Sequence, residues 1–258
     1  MESNIYQIIT FYEFKDLGDE ENLKTIKIAL KTVMQENSIL GTFLIAQEGY
    51  NSTVCGYISD IEKFILMTES ILKTTLKYKT SYNVERPFHK IKVKIKTEIV
   101  RLRQNVNIKK GIGTHVKPSE WNEIIKDPEV FILDTRNDYE FQIGTFKGAV
   151  NPNTEKFSDL PKFIEENLNP EQHKKVAMFC TGGIRCEKFA PFMKEKGFQE
   201  VFQLEGGILK YLEETDEKES LWQGECFVFD DRISVDNSLQ PGTSEDLRPL
   251  SLNPPTKK

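Results

Sequence analysis

The 258-residue sequence predicts two domains in series, an α+β domain followed by a parallel-sheet α/β domain. The chain is longer than one typical domain. In the first hundred residues, two segments with helical periodicity are separated by short strands. After about residue 118, short apolar runs end in polar or glycine-containing turns that lead into helical segments. That alternation is typical of a parallel sheet with helices on both faces.

The first domain, residues 1–100, is predicted to have the element order βαββαβ. Its second helix is predicted to begin near Ser59, which is a good N-cap. The predicted strands are residues 5–14, 42–47, 51–55 and 90–96, and the predicted helices are residues 19–37 and 59–72. This order is that of a ferredoxin-like sandwich, in which two helices pack on one side of a single sheet.

The last predicted strand alternates strictly between lysine and an aliphatic residue, so its lysines share one face. They are Lys90, Lys92, Lys94 and Lys96. Lysine on an edge strand discourages aggregation, which is one interpretation of the pattern. The basic residues continue into a predicted linker, residues 101–117, with Arg101, Arg103, Lys109 and Lys110. Because edge protection does not require this continuation, the second interpretation is binding to RNA phosphates.

Three aromatic residues, Tyr78, Tyr82 and Phe88, lie close to this strand in the sequence. They are candidates for stacking on RNA bases, or else they belong to the core. The net charge of −5 conceals a segregation, because residues 73–117 carry 13 Lys and Arg against 2 Asp and Glu. The segments on either side are acidic. A basic band inside an acidic protein suggests an anionic partner.

Composition argues against several other classes of protein. No apolar run approaches the roughly 20 residues of a membrane span, and the N-terminus lacks the features of a signal peptide. The four cysteines form no Cys-x-x-Cys pair, and three scattered histidines make a protein-built zinc site unexpected. The sequence contains no dinucleotide fingerprint, no iron-binding triad and no haem motif. We therefore expect a cytoplasmic protein without membrane contact, metal site or evident cofactor.

The most informative segment surrounds Cys180. An apolar run ends at this cysteine, and a loop follows before a helix that is predicted to be amphipathic. Cys180 is therefore expected at the carboxyl end of a strand, where α/β folds place their chemistry. Backbone N–H groups of the loop can surround the sulfur and favour the thiolate. The predicted active loop is Cys180, Thr181, Gly182, Gly183, Ile184, Arg185 and Cys186.

The spacing within this loop separates two chemistries. Cys180 and Arg185 form Cys-x4-Arg, whereas phosphatases with a cysteine nucleophile use Cys-x5-Arg and a longer loop. Here the later position holds Cys186, which cannot donate the fork of hydrogen bonds that guanidinium provides. The shorter loop suits a sulfur atom carried on the cysteine. This spacing resembles that of the rhodanese superfamily.

Three further residues are candidates for supporting the site. Asp134 and Arg136 follow a short apolar run, as an Asp-x-Arg commonly does in rhodanese domains; they either form a structural ion pair or contribute directly to the chemistry. His115 lies in the segment between the domains. Cys186 is a candidate to resolve an oxidised Cys180 as a disulfide, or else a packed cysteine at a helix start.

Several segments together resemble the rhodanese-domain tRNA uridine(34) hydroxylases. They are residues 113–115, 134–137, 151–154, 180–188 and 222–230. The resemblance spans about residues 4–236 and implies hydroxylation of the wobble uridine of tRNA to 5-hydroxyuridine. It also implies molecular oxygen as co-substrate, the tRNA anticodon loop as partner, and Cys180 as the essential cysteine. Two alternatives remain: a sulfurtransferase acting through a Cys180 persulfide, and an RNA-binding or sulfur-relay module without turnover.

The resemblance also implies domain boundaries for the rest of the chain. Residues 118–220 are expected to form the rhodanese domain, and residues 221–236 an extension that packs on its core. Many members of the family continue into a cysteine-containing extension. Here residues 237–258 are rich in Ser, Pro and Asn and contain no cysteine. We predict that this tail is disordered.

Overall fold

The structure, a computed structural model, describes residues 5–249. The chain forms two compact units, and the division falls between Arg101 and Leu102. Within the described residues, no helix is both long enough and apolar enough to cross a membrane.

The first unit is a five-stranded mixed sheet with two helices. Its elements are β1 (Tyr6–Phe14), α1 (Glu20–Glu36), β2 (Leu40–Ala46), β3 (Gly49–Tyr57), α2 (Ile58–Leu72), β4 (Tyr78–Asn83) and β5 (Ile91–Ile95). The strand order is β4-β1-β3-β2-β5. β5 pairs parallel to β2, and the other neighbours are antiparallel.

This sheet confirms the ferredoxin-like prediction but corrects one element of it. The strand that completes the βαββαβ order is β4, whereas the lysine-bearing strand, β5, is an additional strand at the opposite edge. β4 reads Tyr-Lys-Thr-Ser-Tyr-Asn, and none of its residues is buried, so it lacks the apolar alternation that reveals a strand. The second helix starts at Ile58 with Tyr57 at the N-cap, not at Ser59.

The core of the first unit lies between the helices and one face of the sheet. Leu23, Ile26 and Leu30 recur at helical spacing along α1 and are buried together with Phe11 and Phe43 of the sheet. Asp19 caps α1 by accepting a hydrogen bond from the Asn22 backbone N–H at 2.9 Å. These contacts fix one side of the sheet as the core side.

The second unit contains a four-stranded parallel sheet. Its strands are β6 (Thr114–Val116), β7 (Val130–Asp134), β9 (Lys175–Phe179) and β10 (Glu200–Leu204), in the order β6-β10-β9-β7. Its helices are α3 (Pro118–Lys126), α4 (Asp138–Phe141), α5 (Leu160–Asn167), α6 (Ile184–Glu195) and α7 (Gly207–Glu214). β6 falls inside the predicted linker, so residues 114–116 belong to the sheet and not to a connection.

Short strands at the C-terminal side complete the second unit. They are β8 (Gly144–Phe146), which pairs with β11 (Trp222–Gly224), and the hairpin of β12 (Cys226–Phe227) with β13 (Ser234–Val235). Phe146 contacts Phe179 and Trp222 edge to face, with ring centroids 4.9 and 5.1 Å apart. The extension over residues 221–236 therefore contributes side chains to the core of the unit.

The tail differs from the prediction of disorder. Residues 237–249 are described, and Glu225 of the extension accepts hydrogen bonds from the backbone N–H groups of Thr243 and Ser244 at 2.9 and 3.0 Å. Ser234 and Ser244 hydroxyls donate to the same carboxylate at 2.7 and 2.6 Å. The half-buried Glu225 carboxylate accepts all of these hydrogen bonds and so holds the segment against the extension. Residues 250–258 of the predicted tail lie outside the described residues.

Candidate functional site

Cys180 directly follows β9, at the carboxyl edge of the parallel sheet, as the sequence predicts. The side chain is buried, with 1% of its surface exposed. The Gly183 backbone N–H donates to its Sγ at 3.1 Å. Gly183 has a φ of +98°, a conformation that favours glycine, and it is the N-cap of α6. The glycine thus turns the chain so that the start of α6 surrounds the sulfur.

The environment of Cys180 lowers the pKa of its thiol to about 6. Burial alone would raise this pKa, but four interactions outweigh it. The Cys186 thiol hydrogen bonds to the sulfur, the Arg185 charge stabilises the anion, and the backbone N–H groups of Cys186 and Arg185 point at it. Cys180 is therefore a thiolate at neutral pH, which is the reactive form.

Arg185 does not present its hydrogen-bonding fork to the sulfur. Its two terminal nitrogens donate to the carboxylate of Glu140 at 2.8 and 2.9 Å, and both side chains are buried. The arginine therefore acts on Cys180 through its charge, while its direction is fixed by Glu140. Sequence reasoning did not identify Glu140 as a site residue.

Glu140 also ties other parts of the site together. The Thr181 hydroxyl donates to it at 3.4 Å, and the Asn137 backbone N–H donates to it at 3.1 Å. The Asn137-x-x-Glu140 spacing at the start of α4 matches a capping box, the one sequence signal that could have drawn attention to this residue. One carboxylate thus connects α4, the active loop and the start of α6.

A second support comes from the start of α7. The backbone N–H groups of Ile208 and Leu209 donate to the carbonyl oxygens of Cys180 and Thr181 at 3.0 and 3.1 Å. Gly207 lies so close to the loop that a Cβ there would approach the Gly183 nitrogen and the Thr181 oxygen to 2.7 Å. Its φ of +69° also favours glycine. The turn before α7 therefore holds the active loop from behind.

Cys186 lies in the first turn of α6 with its sulfur 3.5 Å from the Thr135 hydroxyl. Burial raises the pKa of its thiol well above the usual value, and the hydrogen bond and charge of Cys180 raise it further. Cys186 is therefore a neutral thiol that donates to the Cys180 thiolate. Its role in resolving an oxidised Cys180 stays a prediction.

α6 differs from the predicted amphipathic helix. It starts at Ile184, and its buried residues surround most of the helix axis. They are Arg185, Cys186, Lys188, Phe189, Ala190, Pro191, Phe192 and Met193. Ile184 and Gly182 are half-buried, and space beside the Gly182 Cα is open, since a Cβ there would meet nothing within 4 Å. The loop is thus open beside Gly182.

Asp134 and Arg136 form a fully buried ion pair at the end of β7, 2.6 Å apart. Arg136 also donates to the Gly144 carbonyl oxygen at 2.5 Å, and its guanidinium lies 5.2 Å from the centroid of the Trp222 ring. Of the two interpretations of this motif, the geometry favours the structural ion pair. His115 is exposed on β6, an edge strand separated from β9 by β10.

The predicted RNA-binding residues are exposed, and they fall in both units. The first unit contains Lys90, Lys92, Lys94 and Lys96, which lie on or beside β5, and Arg101, which follows β5 in the chain. Arg103, Lys109 and Lys110 belong to the second unit. Phe88 is half-buried, whereas Tyr78 and Tyr82 are exposed on β4.

Phe229 is another residue that sequence reasoning did not single out. It follows β12, 52% of its surface is exposed, and the Arg185 guanidinium lies 5.9 Å from its ring centroid. The ring also packs edge to face with Phe227, with ring centroids 5.0 Å apart. Phe229 thus places an exposed aromatic ring beside the Arg185–Glu140 pair.

Among the described residues, no group of three or more His, Cys, Asp and Glu side chains is arranged to hold a metal ion. What the site provides is a thiolate, a neutral thiol donor and a paired arginine beneath an exposed ring. This arrangement can stabilise an anionic sulfur species and perform nucleophilic chemistry.

Comparison with solved structures returns rhodanese domains. The chain is 16% identical to the rhodanese-like domain of an Anabaena protein, covering 52% of this chain and 89% of that one, with a TM-score of 0.37. It is 24% identical to a rhodanese-related protein of Thermoplasma volcanium, covering 39% and 92%, with a TM-score of 0.32. For the reduced Bacillus anthracis CoADR-RHD the identity is 17%, the coverage 80% and 34%, and the TM-score 0.36.

Family models match both units. The model described as a UPF0176 acylphosphatase-like domain matches residues 6–99, and the rhodanese-like domain model matches residues 117–214. The two matches follow one another in the order that the sequence predicts. This chain therefore has the domain architecture of the UPF0176 family, in which an acylphosphatase-like domain precedes a rhodanese domain.

Proposed function

We propose that this protein hydroxylates uridine 34 of tRNA to 5-hydroxyuridine, with Cys180 as the reacting side chain. The observation that carries the proposal is the Cys180 thiolate, held at the carboxyl edge of the sheet with a pKa of about 6. The architecture, an acylphosphatase-like domain followed by a rhodanese domain, is that of the UPF0176 tRNA hydroxylase family and supports an enzyme acting on tRNA.

The thiolate supplies a route to chemistry at C5 of uracil. The Cys180 sulfur adds to C6, so the S–C6 bond forms and the C5=C6 electron pair becomes an enolate centred on C5 and O4. One atom of dioxygen then enters at C5. The other leaves as water, with two electrons and two protons supplied by a thiol reductant. Loss of the C5 proton restores the double bond and expels the thiolate.

Surrounding groups support this sequence of steps. The Arg185 charge and the loop N–H groups stabilise Cys180 as an anion both before addition and after release. Since wobble uridine is unpaired in the anticodon loop, it can leave the stack without breaking a base pair. The exposed ring of Phe229 is a candidate platform for the flipped base.

The basic residues supply the attraction to tRNA. Lys90, Lys92, Lys94 and Lys96 are all exposed along an edge strand, and Arg101 extends the same run. Phosphate contacts of this kind weaken steeply with salt, by roughly 0.7–0.9 log unit of affinity per log unit of salt for each contact. We therefore expect tRNA binding to be strongly salt-dependent.

A sulfurtransferase is the second candidate function, and the six-residue loop from Cys180 to Arg185 favours it. A loop of that length with a thiolate at its base fits a persulfide, since the loop N–H groups can bind a second, anionic sulfur atom. Turnover of thiosulfate with cyanide by the purified protein would support this candidate. No turnover, combined with formation of 5-hydroxyuridine, would remove it.

The test is nucleoside mass spectrometry of tRNA from cells lacking the protein, complemented with wild type, Cys180→Ser or Cys55→Ala. Cys55 is a buried thiol in the other unit and serves as the matched control. We expect 5-hydroxyuridine with wild type and Cys55→Ala and none with Cys180→Ser. Absence with wild type would refute hydroxylation, and restoration by Cys180→Ser would remove this cysteine from the chemistry.

A further inference from the structure

The first sheet has a second face, opposite its two helices. Residues along each strand alternate between the faces, so Phe11 and Phe43 enter the core while their neighbours point away from it. The strand pairings place the following residues together on this face: Tyr6, Thr10, Tyr12, Thr42, Thr53, Tyr57, Lys79, Lys92 and Lys94. No residue of the five strands that points to this side is acidic.

One row of paired residues crosses the whole sheet. In register from edge to edge it reads Lys79, Thr10, Thr53, Thr42 and Lys92. The Thr10 and Thr53 hydroxyls are 3.1 Å apart. With strands about 4.8 Å apart, the two lysines at the ends are separated by about 19 Å. The row is therefore a polar track with a positive charge at each end.

An aromatic platform lies on the same face. The rings of Tyr6 and Tyr57 stack with centroids 4.8 Å apart and an interplanar angle of 21°, and their hydroxyls are 3.1 Å apart. Tyr57 is 38% exposed. Arg86 is close enough for its charge to act on the Tyr6 hydroxyl. Between this pair and the threonine row, Ile8 and Cys55 are buried. Tyr57, Lys92 and Lys94 are exposed, whereas Tyr6 and Lys79 are half-buried.

A third feature links the aromatic and basic groups. The Lys79 ammonium lies 5.4 Å from the centroid of the Tyr12 ring, which itself packs edge to face with Phe14. Next to Lys92 along β5, Lys94 pairs with Leu44 on the same face. Stacked rings flanked by cations match the chemistry of unpaired nucleic acid, in which flat bases alternate with phosphates.

We propose that this face of the first sheet binds an unpaired strand of RNA, with bases stacking on the Tyr6–Tyr57 pair and phosphates contacting Lys79, Lys92 and Lys94. The inference rests on the proposed function, because that function makes the partner a tRNA. It assigns a role in base contact to tyrosines that the basic band alone does not include. A protein partner is disfavoured because the face offers few exposed aliphatic side chains and carries only positive charge.

The test uses the full-length protein and fluorescence anisotropy with a fluorescein-labelled, single-stranded oligouridylate of about 10 nucleotides. The Tyr6→Leu/Tyr57→Leu variant removes the rings and retains apolar side chains. Its control is Ile28→Ala/Leu66→Ala, because these apolar side chains are 68% and 69% exposed on α1 and α2, which pack on the other face of the sheet. We expect the first variant to bind at least about tenfold more weakly, and the control to bind as the wild type does.

A second pair of variants tests the lysines. Lys92→Ala/Lys94→Ala should reduce the slope of log affinity against log salt by about 1.4, since each contact to a single strand contributes about 0.7. Lys31→Ala/Lys63→Ala removes two exposed lysines from the helices and should leave the slope unchanged. Circular dichroism and thermal unfolding of every variant separate lost binding from lost folding.

The outcomes distinguish this inference from the function on which it rests. If the Tyr6→Leu/Tyr57→Leu variant is folded and binds as tightly as wild type, the face is refuted while 5-hydroxyuridine formation stands on its own assay. If wild type forms no 5-hydroxyuridine but binding still depends on the tyrosines, the hydroxylase fails and the RNA-binding face is retained. A wild type that binds neither the oligouridylate nor an anticodon stem-loop overturns the inference.

Discussion

Two arginine–carboxylate pairs lie near the carboxyl end of the parallel sheet, and they differ in what they hold. Asp134 and Arg136 are both completely buried and join the end of β7 to β8 and the aromatic core. Glu140 is equally buried, but its partner Arg185 is 9% exposed and belongs to the loop that surrounds Cys180. The first pair stabilises the scaffold, whereas the second sets the electrostatics of the site.

The largest difference between the two pairs should be in how much each contributes to the free energy of unfolding. Asp134→Asn leaves the Arg136 charge buried without a counter-ion, which we expect to lower the free energy of unfolding by about 3–5 kcal/mol. Glu140→Gln leaves Arg185 beside the Cys180 thiolate, whose negative charge still compensates it, so we expect a smaller loss of about 1–3 kcal/mol. Urea denaturation monitored by tryptophan fluorescence measures both. Equal losses would remove the distinction between the pairs.

For the reactivity of Cys180 the ranking should be the opposite, with the Glu140–Arg185 pair having the larger effect. Arg185→Gln removes the positive charge that favours the thiolate, so the pKa of Cys180 should rise from about 6 by about one unit or more. The rate of alkylation by iodoacetamide against pH reports this value: for wild type the rate should reach half its plateau near pH 6. Arg185→Lys, which retains the charge, should shift the midpoint less.

Asp134→Asn provides the matched control for that experiment. Its carboxylate belongs to the other pair, so a folded Asp134→Asn protein should retain a midpoint close to the wild-type value. A midpoint that moves as far in Asp134→Asn as in Arg185→Gln would mean that both pairs set the thiolate pKa. The separation of roles would then be wrong.

Cys186 should have an effect at least as large as that of Arg185. Cys186→Ala removes the thiol that hydrogen bonds to Cys180, so the pKa of Cys180 should rise by about one unit or more. Cys186→Ser supplies a hydroxyl donor in the same place and should restore most of the wild-type midpoint. If the serine and alanine variants behave alike, the hydrogen bond is not what lowers the pKa.

The smallest effect should come from the tail. Several hydrogen bonds to Glu225 hold its pKa at about 2 despite burial, which opposes ionisation, so the carboxylate is charged throughout the useful pH range. Glu225→Gln should weaken the attachment of residues 242–244 by about 1 kcal/mol. Amide hydrogen exchange there should accelerate, while alkylation of Cys180 stays unchanged. Altered alkylation would instead connect the tail to the site.

The same comparison shows what the sequence could predict. Cys180, its loop and the strand before it follow from a local pattern: an apolar run, a glycine turn and a nearby arginine. Asp134 and Arg136 were also found from a local pattern. That pattern did not decide whether they form a structural ion pair or contribute directly to the chemistry. The decisive fact is burial between Trp222 and Gly144, which are distant in the chain.

Glu140 illustrates the part that sequence could not supply. Its distance in sequence from Arg185 is large, and only the fold brings the two side chains within 2.8 Å. The order of the tail depends likewise on donors that converge on Glu225 from residues far along the chain. β4 escaped prediction for a different reason, because an edge strand with no buried residue shows little hydrophobic pattern.

Covalent attack of Cys180 on the base is tested most directly with an anticodon stem-loop that carries 5-fluorouridine at position 34. After oxygen enters at C5, the fluorine there cannot leave as the proton does, so the S–C6 bond persists. With oxygen and a thiol reductant present, we expect a covalent adduct whose peptide mass maps to Cys180 and which Cys180→Ser does not form. Hydroxylation of the unmodified stem-loop without any adduct at Cys180 would contradict it.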